Sequence, residues 1–244
     1  MNLSVLVTGA TGFVGRRLVP RLRSAGYGVT TLGRSPRADR VCDLGNPDQV
    51  RAVVEEVRPS VLVHLAAVVT GDRSAEWMTR MFEAHVLGTF SLVRASLPHR
   101  PALLTIGTFE EYGTATAPYG PSTAPEPVSP YGATKLMATE LARLYASLSG
   151  APAVVLRSAN LYGPDQGPGY FVSGLVRALL ERRPFPMTSG EQRRDFLFVD
   201  DLVDAVLRAI ERRADGFRVL CVGSGRPIAL RDLARTAEAI LGVQ

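Results

Sequence analysis

Leu3-Ser4-Val5-Leu6-Val7-Thr8-Gly9-Ala10-Thr11-Gly12-Phe13-Val14-Gly15 opens with a short β-rich apolar run and closes on three glycines spaced Gly-x-x-Gly-x-x-Gly. From there Phe13, Val14, Leu18, Val19 and Leu22 recur at helical spacing until Gly26, so the stretch reads as strand, tight turn and helix. Glycines at such a junction let backbone approach a pyrophosphate, and the N-terminus of the following helix stabilises its negative charge. Gly9, Thr11, Gly12, Phe13, Val14 and Gly15 are therefore the predicted cradle of a dinucleotide. The spacing differs from the Gly-x-Gly-x-x-Gly of most dinucleotide dehydrogenases.

The alternation continues outward. Residues 29–32 form a predicted strand, 50–57 a helix, and 61–67 a strand whose near-continuous apolar character suits a parallel sheet. A helix over 75–96, a strand over 102–106, a helix over 130–148, a strand over 153–156 and helices over 171–181 and 229–241 follow. Parallel strands need crossover connections, which helices at this spacing supply. The predicted fold class is α/β, a doubly wound parallel sheet of Rossmann type with a small C-terminal substrate-binding region. Pro118, Pro121, Pro125, Pro127 and Pro130 exclude helix from 112–130, which reads as a structured active-site loop. The Pro/Gly-rich 163–169 leaves the sheet, so a dinucleotide-binding domain is assigned to 1–162 and a substrate-binding region to 163–244. Residues 195–212 read as a strand and helix that pack back on the main sheet.

With 244 residues, 46% of them hydrophobic, the chain can bury one substantial core and a small second lobe. Cys42 and Cys221 fall in strand or strand-end contexts without a CxxC spacing, and read as reduced, buried thiols of a cytoplasmic protein with no metal site. Met1 to Val7 lacks a basic leader and resembles a first strand. No apolar run reaches the roughly 18 residues of a membrane span. The net charge of +5 comes from arginines scattered through helices and interleaved with acids. That pattern argues against nucleic acid and suits attraction of a phosphorylated substrate and cofactor.

Lys135 is the single lysine among 28 Lys+Arg residues, and it stands four residues after Tyr131 in Ser129-Pro130-Tyr131-Gly132-Ala133-Thr134-Lys135. An ammonium is a compact point charge where a guanidinium is a broad fork, and residues i and i+4 share a helix face. The pair reads as a catalytic acid and its activator. The second strand ends Leu32-Gly33-Arg34, with no carboxylate at the tip to hold a ribose 2′-hydroxyl. Arg34 can instead form a bidentate pair with a 2′-phosphate, so NADP(H) is expected in preference to NAD(H). Asp43 and Leu44, after the next short strand, are expected to frame the adenine.

These motifs resemble the extended branch of the short-chain dehydrogenase/reductase superfamily, the NAD-dependent epimerases and dehydratases, most of which modify nucleotide sugars. The resemblance spans nearly the whole chain. It rests on Thr8 to Gly15, His64-Leu65-Ala66-Ala67, Tyr131 with Lys135, Leu156-Arg157-Ser158-Ala159-Asn160-Leu161-Tyr162-Gly163-Pro164, and Arg194-Asp195-Phe196-Leu197-Phe198-Val199-Asp200-Asp201. It implies that Leu65, Ala66 and Ala67 touch the cofactor and that Thr108 completes a catalytic triad with Tyr131 and Lys135. It further implies that Asn160 lines the substrate, that Arg194 binds its diphosphate, and that the protein is a homodimer through the helices 75–96 and 130–148. Two departures stand out. Family members usually carry Asn where this chain has His85, which reads here as a packed helix residue and leaves the helix-distorting and relay role of that Asn in doubt. They also generally continue with more sugar-binding region, so either the sequence is truncated or its pocket is unusually open.

The resemblance narrows the reaction as well. The best known 4,6-dehydratases place Asp-Glu after the catalytic Thr, whereas Phe109-Glu110 stands here. Glu110 alone could remove a proton. Gly107-Thr108-Phe109-Glu110-Glu111-Tyr112-Gly113 looks more like the nucleotide-4-keto-6-deoxysugar reductases. The reading is an NADPH-dependent 4-ketoreductase, with Phe109 and Glu110 beside the substrate. A 4-epimerase or 4,6-dehydratase is the alternative, and a non-catalytic NADP-binding regulator is the alternative of another class.

Overall fold

The computed structural model describes residues 3–120, 122–212 and 215–243. The readings made above on Met1, Asn2 and Pro121 lie outside the described residues. The chain divides into two compact units, Met1–Arg157 with Val203–Cys221, and Ser158–Leu202 with Val222–Gln244.

The first unit is built on a seven-stranded parallel sheet, the doubly wound α/β fold expected. Its strands are β1 (Ser4–Thr8), β2 (Gly28–Gly33), β3 (Arg40–Val41), β4 (Val61–His64), β5 (Ala102–Thr108), β6 (Ala153–Ser158) and β10 (Phe217–Val222), in the order β10-β6-β5-β4-β1-β2-β3. Between β1 and β4 the direction of winding reverses, and in open α/β sheets the crevice at the carboxyl ends of such strands is where ligands bind. One face of the sheet packs Leu6, Leu62, Leu103 and Val155 against helices α2 (Pro47–Val57), α4 (Gly88–Ser96) and α5 (Pro130–Ser149). On the other face Val61, Leu104 and Val154 meet Ala209 and Ile210 of α7 (Val199–Arg212), while α1 (Gly15–Ser24) buries Leu18 and Leu22.

Local chemistry sets the helix ends. Asn46 accepts the backbone N–H groups of Asp48 and Gln49, Pro47 starts α2 with its fixed φ, and left-handed Arg58 stops it. Helix α5 repeats the scheme with Ser129 as cap, Pro130 at the first position and Gly150 at φ +70°.

Several boundaries differ from expectation. Strand β4 stops at His64, so 65–67 leave the sheet, and β5 runs on so that Thr108 is its last residue. The helical run 75–96 is interrupted: α3 (Ala75–Met81) passes through a π turn (Phe82–Leu87) into α4. Strand β10, anticipated only through the strand context read for Cys221, carries the apolar run Val219 to Val222 but lies half-exposed at the sheet edge. Its Cys221 is consequently half-buried rather than buried, whereas Cys42 is buried; both are free.

The second unit pairs β7 (Asn160–Tyr162) with β9 (Phe196–Phe198) in parallel, and β8 (Arg193–Arg194) with β11 (Ile228–Ala229) antiparallel. Helices α6 (Phe171–Leu180) and α8 (Leu230–Leu241) form its small core through Leu175, Leu179 and Ala234 against Phe171 and Phe185. Among the described residues no helix is long and apolar enough to cross a membrane.

Candidate active site

The glycine-rich turn is folded so tightly that side chains have no room. A Cβ on Gly15 would stand 2.3 Å from the Gly9 carbonyl oxygen and 2.6 Å from the Ala10 Cα. Gly9, at φ +68°, would place one 2.6 Å from the Ala66 nitrogen. The turn and the 65–67 segment thus meet backbone to backbone, bringing together two stretches expected at the cofactor. Helix α1 begins at Val14 with no side-chain cap and no acid in its first turn, which leaves its positive end for an anion.

A buried relay runs from this turn to α5, and its proton arrangement can be deduced. The Ala66 N–H donates to Thr8 Oγ1 (3.2 Å), so the Thr8 hydroxyl donates to His64 Nδ1 (2.7 Å). His64 Nε2 must then carry hydrogen and donate to Thr89 Oγ1 (3.0 Å), whose hydroxyl donates to the His85 carbonyl. His85 Nε2 meets both the N–H (3.1 Å) and the carbonyl oxygen (2.9 Å) of Val68, while Nδ1 meets Thr134 Oγ1 (2.9 Å), which also reaches the Pro130 carbonyl (2.8 Å). Burial first, and the charge of Lys135 second, push both imidazoles down to about 3, so they are neutral at physiological pH. The helix is therefore distorted at His85 although no Asn is present, and His85 does more than pack: its ring sits edge-on to Tyr131, 5.6 Å between centroids.

Tyr131 and Lys135 lie on the first two turns of α5. The short 3-10 turn Phe109–Glu111 that follows Thr108 packs directly on that helix start, since a Cβ on Gly132 would stand 2.5 Å from the Glu110 carbonyl oxygen. Ser129 reinforces the contact, accepting the Gly132 N–H (3.0 Å) and donating to the Glu110 carboxylate (2.8 Å). Thr108 Oγ1 accepts the Glu110 N–H (3.2 Å). Its own hydroxyl hydrogen has no acceptor among the described residues and is free to donate. Lys135 is buried, yet its ammonium makes no hydrogen bond among the described residues. Burial pushes it down to about 8 while Glu111 pulls it the other way. A buried ammonium with three unengaged donors fits the hydroxyls of a nicotinamide ribose.

Two further carboxylates bear on the adenosine end. Asp39, the acid nearest β2, accepts the Thr31 N–H and hydroxyl (both 2.9 Å), bonds that hold it below the usual carboxylate range. It is engaged along the strand, short of the tip, so Arg34 stands there exposed and with no hydrogen bond or ion pair among the described residues. Asp43 turns into its own loop to accept the Gly45 N–H (3.0 Å), and Leu44 packs against Gly88 at the end of the π turn.

Asn160 and Arg194 belong to the second unit. There Asn160 donates from both its backbone and side chain to the Asp195 carbonyl (3.1 and 3.3 Å), while the Asp195 carboxylate grips the N–H groups of Ser224 and Gly225 (2.9 Å each). Arg194 is exposed on β8. Sequence reasoning did not single out Asp195, Ser129, Glu111 or Arg157. Arg157, directly after the apolar Ala153 to Leu156 run of its strand, was the available signal; Glu111, in a turn beside another acid, gave none.

A reversing parallel sheet, a glycine-rich turn at its switch point and a helix face with half-buried Tyr131 and buried Lys135 define a dinucleotide-binding oxidoreductase scaffold. The chain belongs to the NAD dependent epimerase/dehydratase family, whose model matches residues 5–223. It is 32% identical to the UDP-glucose 4-epimerase of Mycolicibacterium smegmatis over 98% of this chain and 83% of the relative. It is 35% identical to a 3-diazoavenalumate denitrifying reductase of Streptomyces sp over 88% and 74% of the two chains. Among solved structures it resembles MoeE5 in complex with UDP-glucose and NAD, at a TM-score of 0.90 and 31% identity, covering 99% of this chain and 83% of that one.

Proposed function

We propose that the protein is an NADPH-dependent reductase of a nucleotide-linked 4-keto-6-deoxysugar. The observation that carries the choice is the turn after Thr108. Both of its carboxylates are engaged, Glu110 with Ser129 and Glu111 with Arg157, while Phe109 packs edge-on against Tyr119 (5.7 Å between centroids) where a dehydratase would need an acid. A bound nicotinamide dinucleotide supplies hydride to the ketone carbon. Tyr131 donates its proton to the carbonyl oxygen, and Thr108 directs its unengaged hydroxyl at the same oxygen. Lys135 favours the tyrosinate that results by its nearby positive charge, and holds the ribose. Asn160 and Arg194 take the sugar and its diphosphate, as their counterparts do in the resemblance.

Stoichiometric NADPH oxidation with a panel of 4-keto-6-deoxysugar nucleotides tests this reading. Isomerised sugar without net oxidation would assign a 4-epimerase instead, the activity named for the Mycolicibacterium relative. The unengaged guanidinium of Arg34 supports selection of a 2′-phosphate. Arg34→Ala is expected to raise the KM for NADPH by about tenfold, the value of a charged hydrogen-bonded contact, and to leave the KM for NADH nearly unchanged; equal effects would remove the NADP preference.

The assembly proposed is a homodimer. Met78, Phe82, Leu87 and Phe90 on the run 75–96, and Met137, Leu144 and Leu148 on α5, are large apolar side chains left exposed on neighbouring helices. Contiguous apolar surface of this kind marks an interface. Light scattering should give twice the 26.2 kDa of the chain, and Phe90→Arg should give the single chain. A monomeric wild type would refute the assembly.

A further inference from the structure

Glu111 is completely buried, as is its partner Arg157 in all but a few per cent of its side chain. Taking a carboxylate out of water is costly unless every lone pair finds a donor, and here the donors come from three elements. Oε1 accepts the Thr108 N–H (2.9 Å) at the end of β5. Oε2 accepts the Thr139 hydroxyl (2.9 Å) on α5 and Arg157 Nε–H (2.8 Å) on β6. Gly107 leaves the space, since a Cβ there would lie 2.5 Å from Oε1, and the Arg157 guanidinium is stacked over the Tyr112 ring at 4.6 Å. Thr139 is one turn beyond Lys135, which is one turn beyond Tyr131, so all three share a face of α5. The Glu111 carboxylate is thereby fixed between the strand end bearing Thr108 and the helix face bearing the other two.

We propose that Glu111, clamped by Arg157, is a positioning residue for the reaction: it holds Thr108 by its backbone N–H and is the buried counter-charge that keeps Lys135 an ammonium. The inference rests on the catalytic roles assigned above to Thr108, Tyr131 and Lys135. The other titratable groups facing this helix side are His64 and His85, both neutral, and Tyr131; Tyr112 and Arg157 face Glu111 itself. Glu110 also reaches the start of α5, through Ser129, but is exposed; among the described residues Glu111 is the buried carboxylate on this side, and so the one that offsets the burial of Lys135.

Because the chain has one lysine, protein grown on 13Cε-lysine and made without a lysine-bearing tag gives one side-chain signal, and its titration reads Lys135 directly. The wild-type midpoint is expected near 8. Glu111→Gln keeps the shape, removes the charge, and is expected to lower the midpoint by about one pH unit. The alkaline limb of kcat should follow, with turnover at pH 8 falling about fivefold as the ammonium fraction drops. Glu111→Gln leaves Arg157 buried and unpaired, so Glu111→Gln/Arg157→Met, which removes both charges, is made alongside and should shift the midpoint down by less, since a neighbouring cation leaves with the carboxylate. An unshifted or raised midpoint in whichever variant folds overturns the proposal, as does a wild-type lysine that titrates below about pH 7, where burial without a counter-charge would leave it. Failure of every keto-sugar to oxidise NADPH would remove the reductase reading and leave this titration unaffected.

Discussion

Tyr131→Phe is expected to lower kcat by about a thousandfold, within the range that a positioned proton donor contributes, and to leave the Kd for NADPH within about twofold, well under the 1.4 kcal/mol of a tenfold change. The substitution removes one hydroxyl and keeps the ring that sits edge-on to His85. Thr134 Oγ1 reaches the Pro130 carbonyl (2.8 Å), a contact to main chain that the substitution leaves in place at the start of α5. The cofactor-binding roles proposed above belong to the glycine turn and Lys135, neither of which the change touches. The measurements are single-turnover reduction of a keto-sugar nucleotide and fluorescence titration of NADPH. Turnover near the wild-type value would remove Tyr131 as the acid, whatever the substrate.

The second large effect is expected at the other end of the crevice. In Gly15→Ala the new methyl would lie 2.3 Å from the Gly9 carbonyl oxygen and 2.6 to 2.7 Å from Ala10 backbone atoms. Those neighbours are main chain and cannot rotate away, so the turn must open. Forcing a methyl into a packed site of this kind costs about 1–3 kcal/mol in strain, and the cradle for the pyrophosphate is displaced with it. The Kd for NADPH should rise at least about a hundredfold, equivalent to about 2.7 kcal/mol, with a fall in Tm. Gly26→Ala is the control: Gly26 is left-handed at φ +84° with nothing near its missing Cβ. It should lose about 1 kcal/mol of stability and bind NADPH normally. Equal cofactor affinity in both variants would show that the tightness of the turn has no part in binding.

The fold was legible because its signals are local. Ser4 to Ser24 carries a strand, a glycine-rich turn and a helix in one short stretch, and each alternating segment after it repeats a period that neighbouring residues establish. Strand β10 was read only as the strand context of Cys221, because a short apolar run such as Val219 to Val222 does not by itself show that it joins the sheet edge. The π turn escaped because one inserted residue in a helix leaves the surrounding periodicity almost unchanged. Strand ends at His64 and Thr108 were misplaced by two or three residues, since the apolar pattern runs on past the last ladder bond at one and stops short of it at the other.

The candidate site divides the same way. The glycine turn, Arg34, Tyr131 and Lys135 could be picked out because residue type and spacing alone limit what they can do. Glu111 looked like any acid in a turn, Arg157 like one arginine among many, and His85 like a packed helix residue. What distinguishes them is where the chain carries them: Glu111 to Thr139, 28 residues away, and to Arg157, 46 away; His85 to Thr134, 49 away. Sequence by itself determined the class of fold, the glycine-rich turn after β1 and the placing of Tyr131 and Lys135 on one helix, because hydrogen-bond period and steric room are properties of neighbouring residues. Only the tertiary structure decided which buried charges and imidazoles surround them, because the cost of burying a polar group is met by partners that are distant along the chain and adjacent in space.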